Sequence, residues 1–320
     1  MTEWRPGADL ALLRLRADLL RRLRAWFDAA GYLEIETPAL SAAGTTDPAL
    51  ESLSTRVAGR PFYLHTSPEL PMKRLLAAGA GDIWQLCRVF RGGELGRRHN
   101  PEFTLLEFYR LGFDEHGLMD EVDALLRHLL AGHREMGPTR RIRYAEACAE
   151  FADVDPHLDG CARLRERLAA AGVDVPAAVG DDRDALLNLL LAAIVEPGLD
   201  PHTPVFVHDF PASQAALARI RPGPPPVAAR FELFLGGMEL ANGFHELTDA
   251  EEQAARFERD RAARTRAGTE CPPADRRFLA ALEAGLPDCA GVAIGFDRLV
   301  MCAAGCDNID AVMSFGVERA

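Results

Sequence analysis

The sequence predicts an α+β fold, an antiparallel β-sheet flanked by helices, and three observations carry that reading. Strand-like runs come in pairs around a connection: IWQLCRVF with FTLLEFYR, and ARFELFL with MELANGF. Between the second pair stands Gly236-Gly237, the chemistry of a two-residue hairpin turn that needs positive φ at both positions. Strand and helix do not alternate regularly, as a doubly wound parallel sheet would demand.

Residues 9–30 read as an amphipathic helix opening at Asp9, with Leu13, Leu20, Leu23 and Phe27 among its apolar positions and Gly31 as its cap. GYLEIETPAL follows as a short strand, Leu33 and Ile35 alternating with glutamates, stopped by Pro38. IWQLCRVF and FTLLEFYR flank the cationic loop RGGELGRRHNP, and a helix is expected from about Glu115 to His133. Residues 144–200 read as a helical insertion carrying little chemistry. TPVFVHDF and ARFELFLGGMELANGF return to strand character on either side of the rigid spacer RPGPPP. Helices over 250–267 and 275–284 come next, and GVAIG closes the chain as a strand running into the helix FDRLVMCAAG. The expectation is a single domain over 1–320 with the insertion at about 144–200.

Composition narrows the function. A chain of 320 residues with 48% hydrophobic and 26% charged residues has the balance of a soluble globular enzyme. No uncharged apolar run reaches membrane-spanning length, and the first residues do not read as a signal peptide. Seven scattered cysteines without a CxxC pair argue against a metal cluster and for reduced thiols, hence a cytoplasmic protein. A net charge of −12 suits a nucleic-acid partner poorly. Lys73 is the sole lysine among many arginines. GxxxxGK[ST] is absent and GAGDIW lacks the third glycine of a dinucleotide fingerprint, so a nucleotide site would have to be built from arginines and carboxylates on a sheet.

Two segments concentrate such groups. In FELFLGGMELANGFHEL, a turn at Gly236-Gly237 would pair position 232 with 241 and project Glu232 and Glu239 from one face. Adjacent carboxylates resist joint ionisation unless a cation lies between them. Magnesium carrying a nucleotide's phosphates fits that pair, and so does a solvated strand face. In CRVFRGGELGRRHNPEF, Arg91, Arg97, Arg98 and His99 crowd a loop suited to a phosphoryl group in transfer, or to plain solvation. Phe103, Glu107 and Tyr109 share one strand face, and Asn242, Phe244 and Glu246 share parity, as a pocket for an ammonium group would require.

HTSPELPMKRLL, FRGGELGRRHNPEFTLLEFYR, RFELFLGGMELANGFHELTDAEEQ and GVAIGFDRLVM, in this order, resemble the catalytic domain of class II lysyl-tRNA synthetases from about residue 10 to 320. GYLEIETPAL looks like the first class II motif, whose proline lies at a dimer interface in that family, which implies a homodimer. The resemblance implies an ATP-dependent ligase in which Arg91 and Arg298 are catalytic, gripping the α- and γ-phosphates. Gly93, Glu94, His99, Asn100, Phe103, Glu239, Leu240 and Gly295 would complete the ATP site. Glu232 and Glu239 would hold Mg2+. Ser67, Pro68, Glu69, Tyr109, Asn242, Phe244, Glu246 and Ala293 would bind the amino acid.

The family's N-terminal anticodon-binding OB domain is not expected here, since the first motif begins within about thirty residues of Met1. The truncated form is similar to the elongation factor P lysine ligases, which implies β-lysine as substrate, that factor as acceptor and no tRNA. A minimal lysyl-tRNA synthetase, or a lysyl-adenylate donor to another acceptor, is the competing expectation. Two departures stand out. Position 93 is glycine where the second class II motif usually reads Arg-x-Glu, with Glu94 one residue later. Ala241 and Ala293 stand where the family tends to have glycine.

Overall fold

The computed structural model describes residues 4–320, and their contacts divide the chain into two compact units. The first comprises the chain up to Phe113 together with Leu125–Arg134 and Thr248–Ala320; the second comprises Asp114–Ala124 and Glu135–Leu247.

In the first unit, α1 (Leu10–Ala29) starts where the Asp9 carboxylate accepts the Leu12 N–H. It buries Leu19, Leu23 and Phe27, a stripe spaced every fourth residue, whereas Leu13 and Leu20 are only half-buried. Gly31, at φ +77, ends it in the left-handed conformation. The first-motif strand is reduced to β1 (Leu33–Glu34), followed by β2 (Leu40–Ser41), β3 (Ser54–Val57) and β4 (Arg60–Leu64). β2, β4 and β3 form a small antiparallel sheet with no counterpart in the sequence reading. After α2 (Glu69–Ala77) come β5 (Ile83–Phe90) and β6 (Glu102–Leu111), antiparallel as the paired runs require, with β1 parallel to β5. An aromatic core fixes this layer: Phe27 stacks on Trp84 at 4.6 Å and meets Phe108 edge-on at 5.2 Å.

α3 (Glu115–Leu130) begins in the second unit and ends in the first. β7 (Arg140–Arg143) then leads into the insertion, whose helices are α4 (Tyr144–Ala147), α5 (Cys161–Ala170), α6 (Arg183–Leu190) and α7 (Glu196–Gly198). They bury Leu164, Leu168, Leu186, Leu187 and Leu190 against the sheet residues Val205, Val207 and Phe210. That sheet contains β8 (Val205–Pro211), β9 (Ile220–Arg221), β10 (Val227–Leu235) and β11 (Met238–His245), with β10 antiparallel to β8, β9 and β11 and β7 parallel to β8. Gly236 and Gly237, at φ +67 and +71, make the expected hairpin turn.

The first unit closes with α8 (Ala250–Ala267), α9 (Arg276–Gly285), β12 (Cys289–Gly295) and α10 (Phe296–Ala304). β12 pairs antiparallel with β6. The sheets are mostly antiparallel with helices packed on them, the α+β architecture expected. No helix among the described residues is long and apolar enough to cross a membrane.

Candidate active site

In the first unit, the candidate side chains come from the start of α2, the loop between β5 and β6, the face of β6 and the start of α10. At α2, Ser67 Oγ accepts the Glu69 N–H at 3.4 Å, with Pro68 at the helix cap, where a missing N–H costs nothing. One turn later Lys73 Nζ donates to Glu69 Oε1 at 2.6 Å. Lys73 is 1% exposed and lies 6.0 Å from the Phe278 ring. A buried ammonium needs such a partner, so the lone lysine and the expected substrate acid form one unit.

Arg91 follows directly on β5. Its guanidinium lies 5.1 Å above the Phe103 ring, Nε donates to the Thr66 carbonyl at 3.3 Å, and Glu94 Oε1 is 3.5 Å from Nη1. Glu94 is therefore turned onto Arg91. A Cβ at position 92 would come within 2.6 Å of the Glu51 carboxyl carbon, so a larger residue there would have to displace the Glu51 side chain, and the Gly92 N–H donates to the Glu51 carbonyl. Gly93 sits at φ +73, so the departure from Arg-x-Glu is a left-handed turn rather than a lost side chain in an ordinary loop. Arg97 pairs with Asp307 at the surface.

His99 Nε2 is 2.7 Å from Nη2 of Arg298. A guanidinium only donates, so the imidazole accepts at Nε2 and carries its proton on Nδ1. Next to Arg298 in sequence stands Asp297, an acid the motif reading passed over. Buried Asp297 accepts the Thr104 N–H and Arg16 Nη1, both at 2.6 Å, and Arg16 Nη2 reaches Thr104 Oγ1 at 2.8 Å. This ties α10 to β6, with Gly295 as the N-cap of α10.

Asn100, expected at the nucleotide, has its side-chain amide engaged within the chain. It is buried, its Nδ2 donates to the Glu102 carbonyl at 2.6 Å, and its Oδ1 accepts the Val317 N–H at 3.0 Å. The amide clamps the loop to the C-terminal segment.

On the β6 face, Phe103, Glu107 and Tyr109 do share a side. The Tyr109 hydroxyl donates to Glu107 Oε1 at 2.7 Å, and both residues are buried. Gln85 and Ala293 stand opposite Glu107 on the two neighbouring strands. Burial, with the Glu107 charge second, pushes the Cys87 thiol up to about 12, which keeps it inert. Strand periodicity alone marked Glu107; the structure joins it to Tyr109, an expected substrate residue.

In the second unit, the β10–β11 hairpin departs from the expected register. Leu235 pairs with Met238 and Phe234 with Glu239, but a bulge then shifts Leu233 to Ala241 and Glu232 to Asn242. Leu240 is the extra residue, and it is buried. Glu232 and Glu239 remain on one face as expected. Because of the shift, Asn242 and Phe244 join that face, and Ala241 turns to the other one beside Leu233. Glu246 is buried at the end of the strand, bridging in backbone pairing to Ala218.

Burial, and then repulsion from Glu239, pushes the Glu232 carboxyl up to about 7, with Arg230 pulling it back. Two carboxylates that oppose each other's ionisation are the donor set a hard divalent cation relieves, so Glu232 and Glu239 fit Mg2+. Arg230, which sequence reasoning missed, pairs with Glu232 at 2.5 Å. His116, His208 and Asp209 also cluster together, with the Arg221 guanidinium paired to Asp209 and 3.4 Å from His116 Nε2.

Comparison with known proteins agrees with this architecture. A family model for class II tRNA synthetases (D, K and N) matches residues 4–319. The elongation factor P–(R)-β-lysine ligase of Vibrio cholerae serotype O1 is 49% identical over 325 residues, covering 100% of this chain and 99% of that protein. Proteins of the same name from Vibrio atlanticus and Klebsiella pneumoniae subsp. pneumoniae are each 47% identical, over 99% of this chain and 98% of their own length. The chain belongs to the class II tRNA synthetases of the D, K and N group.

Proposed function

We propose that this chain is an ATP-dependent, AMP-forming ligase that activates β-lysine, and lysine more weakly, as an aminoacyl-adenylate and transfers it to a lysine side chain of elongation factor P. The observation that carries the reading is full-length likeness to (R)-β-lysine ligases at 47–49% identity, in a chain that retains Arg91, Arg298, Glu232 and Glu239.

Activation requires no protein nucleophile. The substrate carboxylate attacks the α-phosphorus in line, and pyrophosphate leaves. Arg91, fixed by Phe103 and the Thr66 carbonyl, would meet the α-phosphate, and Arg298, held against His99, the γ-phosphate. Guanidiniums already held in place need little reorganisation as charge develops. Glu232 and Glu239 would hold Mg2+, which supplies further charge neutralisation on the phosphates when bound. Gly93, Glu94, His99, Leu240 and Gly295 would shape the ATP site, with Asn100 bracing its loop. Glu69, Glu107 and Glu246 would read the substrate amines; Ser67, Pro68, Tyr109, Asn242, Phe244 and Ala293 would set its position. In the second step the acceptor amine attacks the mixed anhydride carbonyl and AMP leaves.

Incubation with ATP, β-lysine or lysine, elongation factor P and tRNA, followed by mass spectrometry, tests this. Mass gain on elongation factor P with β-lysine is expected. Gain on tRNA instead would mean a minimal lysyl-tRNA synthetase, a reading that the net charge of −12 disfavours. We also read the chain as a cytoplasmic homodimer: all seven cysteines are free thiols, and Leu33 and Leu40, 53% and 38% exposed, flank Pro38. Sedimentation of L33D/L40D should show monomers; an unchanged mass would remove this interface.

A further inference from the structure

The bulge at Leu240 gathers Arg230, Glu232, Asn242 and Phe244 on one face of the hairpin, as the cross-strand pairs Arg230–Phe244 and Glu232–Asn242. Arg230 is mostly buried and engaged on every side. Its guanidinium lies 4.4 Å over the Phe210 ring and 5.9 Å from that of Phe244. Nη1 donates to the Gln214 carbonyl at 2.8 Å, Nη2 to Glu232 Oε1 at 2.5 Å, and Nε to Asn242 Oδ1 at 3.3 Å.

The last contact has a directional consequence. A guanidinium offers donors and no acceptor, so the Asn242 amide must turn its oxygen toward Arg230. Its NH2 group is thereby committed to the opposite direction. Asn242 is half-buried, and such a fixed pair of N–H donors suits a carboxylate or carbonyl oxygen. Without Arg230 the amide would be free to flip and present its oxygen, which repels an anion.

We propose that Arg230 is a positioning residue for amino-acid activation, locking the Asn242 amide so that its N–H donors face the carboxylate of the incoming amino acid. The inference rests on the proposed activation of an amino-acid carboxylate and adds the element that orients it. Phe210 and Phe244 hold the guanidinium plane, while Glu232 and the Gln214 carbonyl fix its rotation, so that Nε is left aimed at Asn242. A lysine at 230 would retain a charge for Glu232 but could not also hold the amide, because an ammonium lacks the rigid fork.

The test is a double-mutant cycle on R230K and N242A, read as KM for β-lysine and KM for ATP in pyrophosphate exchange. R230K should raise KM for β-lysine about 10–100-fold, the cost of a lost charge-assisted hydrogen bond, with KM for ATP changed less than about threefold. N242A should do the same, and the double variant should be no worse than N242A alone. Multiplying effects, or an unchanged KM in R230K, would overturn the proposal. Calorimetry of β-lysine against its carboxamide gives a second readout. The wild type should prefer the carboxylate and R230K should lose that preference; retained preference sinks the role of Arg230. A wild type that binds β-lysine without pyrophosphate exchange would instead count against the proposed reaction, while the calorimetric comparison still decides the role of Arg230.

Discussion

Replacing Ala293 and Ala241 by glycine, one at a time, separates two positions that sequence alone treats alike. Ala293 is half-buried on β12, directly opposite Glu107, on the face that carries Tyr109. Ala241 lies opposite Leu233, 2% exposed, on the face of β11 turned away from Asn242 and Glu232. If the Ala293 methyl crowds the α-amine of lysine, which β-lysine carries one carbon further along, its removal should improve lysine activation relative to β-lysine. One methyl in a packed pocket is worth about 1–3 kcal/mol, so the ratio of kcat/KM values should shift by roughly 10–200-fold. Ala241→Gly should leave that ratio unchanged. It should instead lose about 1–2 kcal/mol of stability, from roughly 0.8 for the buried methyl and 0.5–1 for glycine's backbone freedom in a strand. Pyrophosphate exchange with each amino acid, alongside thermal denaturation, measures both. An equal shift in specificity from the two variants would refute the face assignment, and no shift from Ala293→Gly would refute the steric account.

Arg91→Ala should slow pyrophosphate exchange by on the order of a thousandfold, as loss of a preorganised phosphate-binding donor does; near-normal exchange would make the loop a solvated surface. Lys73→Met should raise KM for the amino acid and lower the melting temperature by leaving the half-buried Glu69 carboxylate unpaired, whereas Lys73→Arg should keep the charge yet cost about 1–3 kcal/mol of stability through overpacking; an unchanged melting temperature in both would show that the pair contributes nothing. Glu232 titrates at about 7, raised above its unfolded value, so the folded chain binds its proton more tightly and stability from this group falls as pH rises through the range up to about 7. Mg2+ should accordingly raise the melting temperature more at pH 8 than at pH 5.5, and equal gains at both pH values would exclude Glu232 as its ligand.

Residue type and spacing were enough for the main strands and helices, though not for the small β2–β4–β3 sheet. Paired strand runs, the Gly236-Gly237 turn and the arginine-rich loop are local signals, carried by residue type and spacing, and they placed Glu232 with Glu239 and Phe103 with Glu107 and Tyr109. The pairings came from the three-dimensional fold, because local spacing cannot encode them. The bulge at Leu240 depends on how β11 seats against β10, and a one-residue slip exchanges the two faces of a strand, moving Asn242 and Phe244 to the side of Glu232 and Ala241 away from it. Asn100 was legible as a motif residue, yet its use as a clamp depends on Val317, 217 residues away in sequence. Asp297 and Arg230 draw their meaning from Arg16 and Asn242 in the same way, since a buried polar group takes its role from whichever partner the fold brings to it.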